Sequence, residues 1–300
     1  MTRASSAITP GAGDHCGPTG AGAAGTAPTG QDVPDTVGNL RLASFGPRRY
    51  AMFPRLAQQA GLRHAFATRP LDVSARLDDR RQEREARRRQ MAADLGFDPR
   101  RLWHCVQVHG GQLAVVDGEA EGGPLEGCDG AITRRRDAAL MTFSADCPLV
   151  LLYDPLAAAL GLVHASWRCT VASLVGEALR LMQLRFGCRP ERMLAGVGPS
   201  AGPAMYEVGR DVYDAAAGLA GRERYFPRDG ARMCFDLWEA NRAQLLAGGV
   251  REENVELAAV CTMTRTDLFY SYRREGAGCG HFGLLAGLTP EQAEHGGRDG

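Results

Sequence analysis

AALMTFSADCPLVLLYDPLAAALGLVH, residues 138–164, holds three apolar runs: AALMTF (138–143), PLVLLYD (148–154) and AALGLVH (158–164). Each is bounded by turn-forming residues, SADC on one side and Asp154-Pro155 on the other. Runs this short, rich in Leu, Val and aromatic residues, read as buried β-strands rather than helices. They follow one another with no helix between them, which argues against a doubly wound βαβ array.

Working outward, QLAVVD (112–117) and GAIT (130–133) read as strands before this stretch, and MLAGVG (193–198) as another after it. Residues 170–186 form an amphipathic helix with Leu174, Val175, Ala178 and Met182 on one face. DLWEANRAQLLAGGV (236–250) is a helix with Asp236 as N-cap and Gly248 near its end. VELAAVC (255–261) and LFYSY (268–272) are expected to finish the ordered part. Residues 78–95, DDRRQEREARRRQMAADL, form a polar helix whose Glu83–Arg87 and Glu85–Arg89 pairs stand four residues apart, which marks a solvated face rather than a nucleic-acid-binding one. Strands outnumber helices. The expectation is an α+β fold, a single domain of mixed β-sheets packed with flanking helices as a layered sandwich, over residues 39–290. Residues 1–38, rich in Gly, Ala, Thr and Pro, are expected to be a disordered tail. His15 and Cys16 lie inside it and are poor metal candidates.

Composition narrows the function. The formal net charge is zero, so no global field recruits nucleic acid or an anionic membrane. The 300 residues include no lysine, which excludes Walker-type phosphate loops, Schiff-base chemistry and Ser-Lys hydrolases together. The 9 cysteines are odd in number and form no CxxC pair, and residues 1–40 contain no apolar signal region. Free thiols in a reducing cytoplasm are the simplest reading. No apolar run reaches the roughly 18–20 residues that span a bilayer.

His109 in QVHG, Cys147 in SADC and His164 in GLVHAS each stand at the edge of an apolar run. Two imidazoles and one thiolate suit Zn²⁺, and three protein ligands leave a fourth position open, as in catalytic zinc sites. The separations along the chain, 38 residues from 109 to 147 and 17 from 147 to 164, match no local zinc pattern. A packed core role for each residue therefore stands beside the metal reading.

The chain resembles the family variously called multicopper polyphenol oxidase (laccase domain), purine nucleoside phosphorylase or peptidoglycan editing factor. The resemblance rests on FATR (66–69), VQVHG (106–110), CDGAIT (128–133), SADCPLVLL (144–152), HASWRCT (164–170), GPSAGPAMYEVG (198–209) and CT…FYSYRREG (261–276), in the family's order. It implies that His109, Cys147 and His164 are the metal ligands. It also implies a zinc-dependent enzyme that cleaves purine nucleosides with phosphate, deaminates adenosine and accepts methylthioadenosine. Purine nucleoside and phosphate are then its partners. The competing readings are a zinc amidohydrolase that edits peptidoglycan precursors and a catalytically weakened binding protein. A copper oxidase fits least, because the 7 histidines form no HxH pair. The chain departs from the family's HAGWRGT at Ser166 and Cys169, where glycines are replaced and the site is expected to be crowded.

Arg69 and Arg168 are the candidates to hold phosphate, since a guanidinium offers paired donors and keeps its charge beside a metal. A structural ion pair is the alternative for each, and more so for Arg273 and Arg274. Asp146, next to Cys147, is a candidate proton shuttle or partner to a ligand, although strand neighbours point to opposite faces. Asp129 and Glu207 fit turn or capping roles better than acid–base roles. Tyr206 and Phe269 are candidates to stack a purine, with core packing as the alternative.

Overall fold

The computed structural model describes residues 35–289 apart from Leu77 and Glu119. The expected tail over 1–38 falls almost wholly outside these residues, as do His15 and Cys16. Within its last residues, Thr36–Val37 form a strand, and Val37 is buried.

The strands are β1 (Thr36–Val37), β2 (Leu40–Phe45), β3 (Arg48–Met52), β4 (Leu62–Ala67), β5 (Leu102–Val106), β6 (Leu113–Val116), β7 (Gly123–Glu126) and β8 (Gly130–Thr133). They continue with β9 (Ala139–Ser144), β10 (Leu149–Asp154), β11 (Ala159–His164), β12 (Leu194–Val197), β13 (Arg228–Asp229), β14 (Arg232–Met233), β15 (Val255–Leu257) and β16 (Phe282–Leu288). The α-helices are α1 (Arg81–Asp94), α2 (Trp167–Val171), α3 (Leu174–Phe186), α4 (Arg210–Ala215), α5 (Leu237–Ala247) and α6 (Tyr272–Glu275).

Two sheets dominate. One has 8 strands in the order β1-β2-β3-β4-β16-β9-β5-β7, and the other has 6 in the order β15-β12-β10-β11-β8-β6. Both mix parallel and antiparallel pairs: β5 runs parallel to β7 and β9, while β10 is antiparallel to β11 and β12. The faces of β10 show the layering. Leu149, Leu151 and Tyr153 join a core with Phe66, Trp103, Leu140 and Leu284 of the first sheet. Val150 and Leu152, pointing the other way, pack on Leu174, Val175, Ala178, Leu179 and Met182 of α3. The outer face of the first sheet packs Met141 and Leu285 on Met91 and Ala92 of α1 and on Leu95, which ends it. The order of layers is therefore helix, sheet, sheet, helix. A strand buried on both faces has no polar side to show, which is why its sequence is an unbroken apolar run.

Several expected elements need correction. The helix over 170–186 is two helices, separated at Ser173, whose φ of +58° interrupts the α conformation. LFYSY is not a strand. Phe269 enters the core, Tyr270 donates its hydroxyl to the Pro70 carbonyl at 3.0 Å, and Ser271 caps α6. The central strand β16 was not expected at all, because Gly283 and Gly287 weaken its strand signal. Close packing requires glycine at 287, where a Cβ would lie 2.5 Å from the Phe97 ring, while a Cβ at Gly283 would meet the movable end of Met141 at 2.6 Å and Val73 at 3.0 Å. Asp236 caps α5 as expected, accepting from the Glu239 N–H at 3.0 Å. Among the described residues no helix is long and apolar enough to cross a membrane.

Candidate metal centre

His164 is the last residue of β11 and pairs across the ladder with Leu149, the first residue of β10. Cys147 stands two residues before Leu149, in the turn from β9, where the Ser144 hydroxyl donates to its carbonyl at 2.7 Å. His109 follows β5 with a φ of +57°, a left-handed conformation uncommon outside glycine. One ligand nitrogen from each imidazole and the Cys147 Sγ all lie within 4.8 Å of one another. The two rings meet edge to face, 4.8 Å between centroids. Residues distant in sequence thus converge at one point.

Asp129, fully buried just before β8, holds the arrangement. Its Oδ1 accepts from His164 Nδ1 at 2.9 Å and from the His109 N–H at 3.0 Å. Its Oδ2 accepts from the N–H groups of Gly110 at 2.7 Å and Gly111 at 3.1 Å. The carboxylate therefore fixes the unusual 109–111 backbone and orients His164 so that Nε2 is left for a metal, the common arrangement around metal-bound histidines. Burial opposes its ionisation, but the bonds from His164, Gly110 and Gly111 outweigh this and bring its pKa down to about 2. The turn role expected for Asp129 is real, and holding a ligand is added to it. The tight spacing of Asp129 to Gly130 and the strand was the available signal.

The donors fit a divalent metal of borderline softness. Burial, His164 and Arg168 lower the pKa of His109, which keeps its imidazole in the neutral form that ligates. Burial, with Asp146 nearby, pushes the Cys147 thiol up, so its thiolate awaits a cation. Asp129, His164 and Cys169 form a second close group, but it shares His164 with the first. Two separate metal centres are thus not available among the described residues.

The cluster opens on a cavity of about 560 Å³ whose lining includes Arg76, Asp146, Trp167, Arg168, Tyr206 and Arg273. Arg168 is exposed, lies 4.3 Å from the Trp167 ring and makes no ion pair among the described residues. Arg273 stacks on Tyr206 at 4.5 Å and donates to the Glu207 carbonyl. Asp146 lines the cavity, but its carboxylate is committed: Oδ1 accepts from the Thr262 hydroxyl at 2.6 Å and Oδ2 from the Arg273 N–H at 2.7 Å. That makes it a clamp on the 271–275 segment rather than a free proton carrier. Arg76 and His281 were missed in the sequence, since neither belongs to a marked motif.

Arg69 is elsewhere. It pairs with Glu275, donates to the Phe269 carbonyl at 3.2 Å and covers the Tyr270 ring at 4.0 Å, outside this cavity. Its structural alternative is the one the geometry favours. Arg274 donates to the Met263 carbonyl, and Glu207 pairs with Arg232 on the surface. Phe269 is core, while Tyr206 reaches the cavity. Ser166 and Cys169 do not line the cavity. Ser166 caps α2 by accepting from the Cys169 N–H at 3.3 Å and lies 3.1 Å from the Cys169 sulfur, so the expected crowding falls behind the site.

Fold and site together define a layered protein built on two large sheets, with the donors His109, Cys147 and His164 gathered at the end of an arginine-lined cavity. Residues 58–289 match the model of the multi-copper polyphenol oxidoreductase laccase family, and the chain belongs to that family. It is 38% identical over 245 residues to a purine nucleoside phosphorylase of Deinococcus radiodurans, covering 78% of this chain and 92% of that protein. It is 40% identical to a purine nucleoside phosphorylase of Bacteroides thetaiotaomicron over 167 residues, 55% of this chain and 61% of that relative. The crystal structure of YlmD from Geobacillus stearothermophilus superposes with a TM-score of 0.75 at 27% identity, covering 80% of this chain and 96% of the other.

Proposed function

We propose that this chain is a zinc-dependent purine nucleoside phosphorylase that also deaminates adenosine, taking adenosine, inosine and methylthioadenosine. The observation that carries the reading is the meeting of His109, Cys147 and His164 within 4.8 Å at the end of an arginine-lined cavity. The name of the two relatives, purine nucleoside phosphorylase, supports purine nucleosides and phosphate as the substrate class. His109, Cys147 and His164 would hold the zinc, which would supply Lewis-acid chemistry at the end of the cavity.

The chain's own residues do the rest. Arg168, with no carboxylate partner among the described residues, is the group to hold phosphate, with Arg76 and Arg273 adding positive charge around it. Trp167 and Tyr206 offer aromatic faces for a purine, each already covered on one side by an arginine. Asp146 keeps Arg273 in place through its N–H, and Asp129 keeps both histidines in place. Neither carboxylate is free to carry a proton.

The test is turnover by the purified protein. Hypoxanthine from inosine only when phosphate is present, and inosine from adenosine, support the proposal. Cleavage of a peptidoglycan precursor alone would move the assignment to amide hydrolysis. Zinc bound with no turnover of either would leave a binding protein.

A further inference from the structure

A second cavity, of about 390 Å³, lies between α1 and β5, and Ala75 and Val106 line both it and the metal cavity. From α1 it takes in Arg81 and Arg88 together with the paired Glu85 and Arg89. Along that helix Arg84 pairs with Asp72 and Asp78, Arg87 with Glu83, and Arg89 with Glu85. Arg81 and Arg88 have no carboxylate partner among the described residues. They stand seven residues apart, two turns along one face, and both line the cavity. Arg88 is only 5% exposed, and its Nη1 bonds are to the carbonyls of Val73 at 3.2 Å and Ser74 at 2.6 Å.

Burying a guanidinium without a counter-charge is costly, so a cavity in front of one favours an anion. Burial draws the pKa of Arg88 down to about 10, with Arg84 and Arg81 acting in the same direction against Glu85. Burial, Arg88 and Arg81 lower that of His104, which lines the cavity, to about 4. Burial is the larger cause for both groups, and the neighbouring arginines add to it, with Glu85 and Asp72 offsetting part of the charge on Arg88. The rest of the lining includes Arg100, which pairs with Asp98, and Glu121 and Glu126, neither of which makes an ion pair among the described residues. Carboxylates there repel a bare anion but accept hydroxyl groups.

We infer that this cavity binds a small sugar phosphate monoester, its phosphate on Arg81 and Arg88 and its hydroxyls toward Glu121 and Glu126. Two guanidiniums match a phosphate dianion, and the volume suits a small ligand. The inference does not depend on the nucleoside reading.

Calorimetric titration of the full chain with ribose 5-phosphate and with inorganic phosphate tests it, in an Arg168→Ser background that weakens anion binding in the metal cavity. Ribose 5-phosphate is expected to bind one site, more tightly than inorganic phosphate. Adding Arg81→Ser or Arg88→Met is expected to weaken it about tenfold or more, the loss of one charge-assisted contact. Arg81 is exposed, so its variant should fold even if the Arg88 variant does not. Glu126→Gln should weaken the sugar phosphate and leave inorganic phosphate unchanged or tighter. Absence of ribose 5-phosphate binding at about 10 mM, a free energy weaker than roughly 3 kcal/mol, would overturn the inference. So would binding indifferent to Arg81→Ser, or equal affinity for the two ligands.

Discussion

Replacing Asp129 with Asn removes one acceptor oxygen from a carboxylate that receives four hydrogen bonds. Oδ1 takes His109 N–H and His164 Nδ1, and Oδ2 takes Gly110 and Gly111 N–H. The amide has one carbonyl oxygen and one NH₂ group, so either orientation turns a donor toward two donors. If NH₂ replaces Oδ2, the glycine N–H groups are stranded. If it replaces Oδ1, the His109 N–H is stranded, and His164 must carry its proton on Nε2, the nitrogen left for a metal. Each buried group without a partner costs about 1–3 kcal/mol, giving a loss of roughly 2–4 kcal/mol. For a domain of this size that is a fall of roughly 5–15 °C in melting temperature. Zinc affinity should fall about 10–100-fold, as for other groups that orient metal-bound histidines. Thermal melts and competition with a chromophoric chelator read the two effects. A variant that melts within about 1 °C of the wild type and binds zinc within about twofold would refute the reasoning.

Further outcomes follow from the same geometry. Arg168→Ser should raise the KM for phosphate at least about tenfold in steady-state assays, while zinc content stays unchanged. Arg69→Ser, by contrast, should leave the kinetic constants within about threefold and cost on the order of 1 kcal/mol in urea melts, because its half-exposed pair with Glu275 is outside the cavity. Leu179→Ala should cost about 2–5 kcal/mol, since Leu179 is buried between α3 and the second sheet. His64 is buried and its Nε2 accepts from the Phe53 N–H, and burial lowers its pKa from 6.5 to about 3. Its proton is taken up in the unfolded chain below pH 6.5, so stability should fall as pH drops from there toward 3, by up to roughly 1.4 kcal/mol per unit. Melts of wild type and His64→Gln across that range check the slope, which should be shallower in the variant.

The parts of the fold legible in the sequence are those where one physical signal dominates. β9, β10 and β11 are buried on both faces, and their unbroken apolar runs leave no other reading. β2 and β4 each carry an exposed arginine, β3 opens on Arg48-Arg49, and β4 contains buried His64, so charge masked their strand character. β16 was hidden by Gly283 and Gly287, the second of which packing against Phe97 demands. At the site, the three donors stood out as metal-capable residues at strand ends, but their convergence depends on the pairing of β10 with β11 and on the loop after β5. No spacing along the chain encodes that. Asp129 was underrated because a carboxylate before a strand usually closes a turn; here it does so and orients a histidine as well. Arg69 and Asp146 sit in marked motifs, yet both are occupied by neighbours that only the folded chain brings to them.

The most direct measurement is metal content by elemental analysis of the wild type and of His109→Ala, Cys147→Ser and His164→Ala, each checked for folding by circular dichroism. The account predicts about one zinc per wild-type chain, and its loss in every folded variant, because three protein ligands leave none to spare. A wild-type chain that takes up no zinc, or a Cys147→Ser chain that retains its full complement, would contradict it.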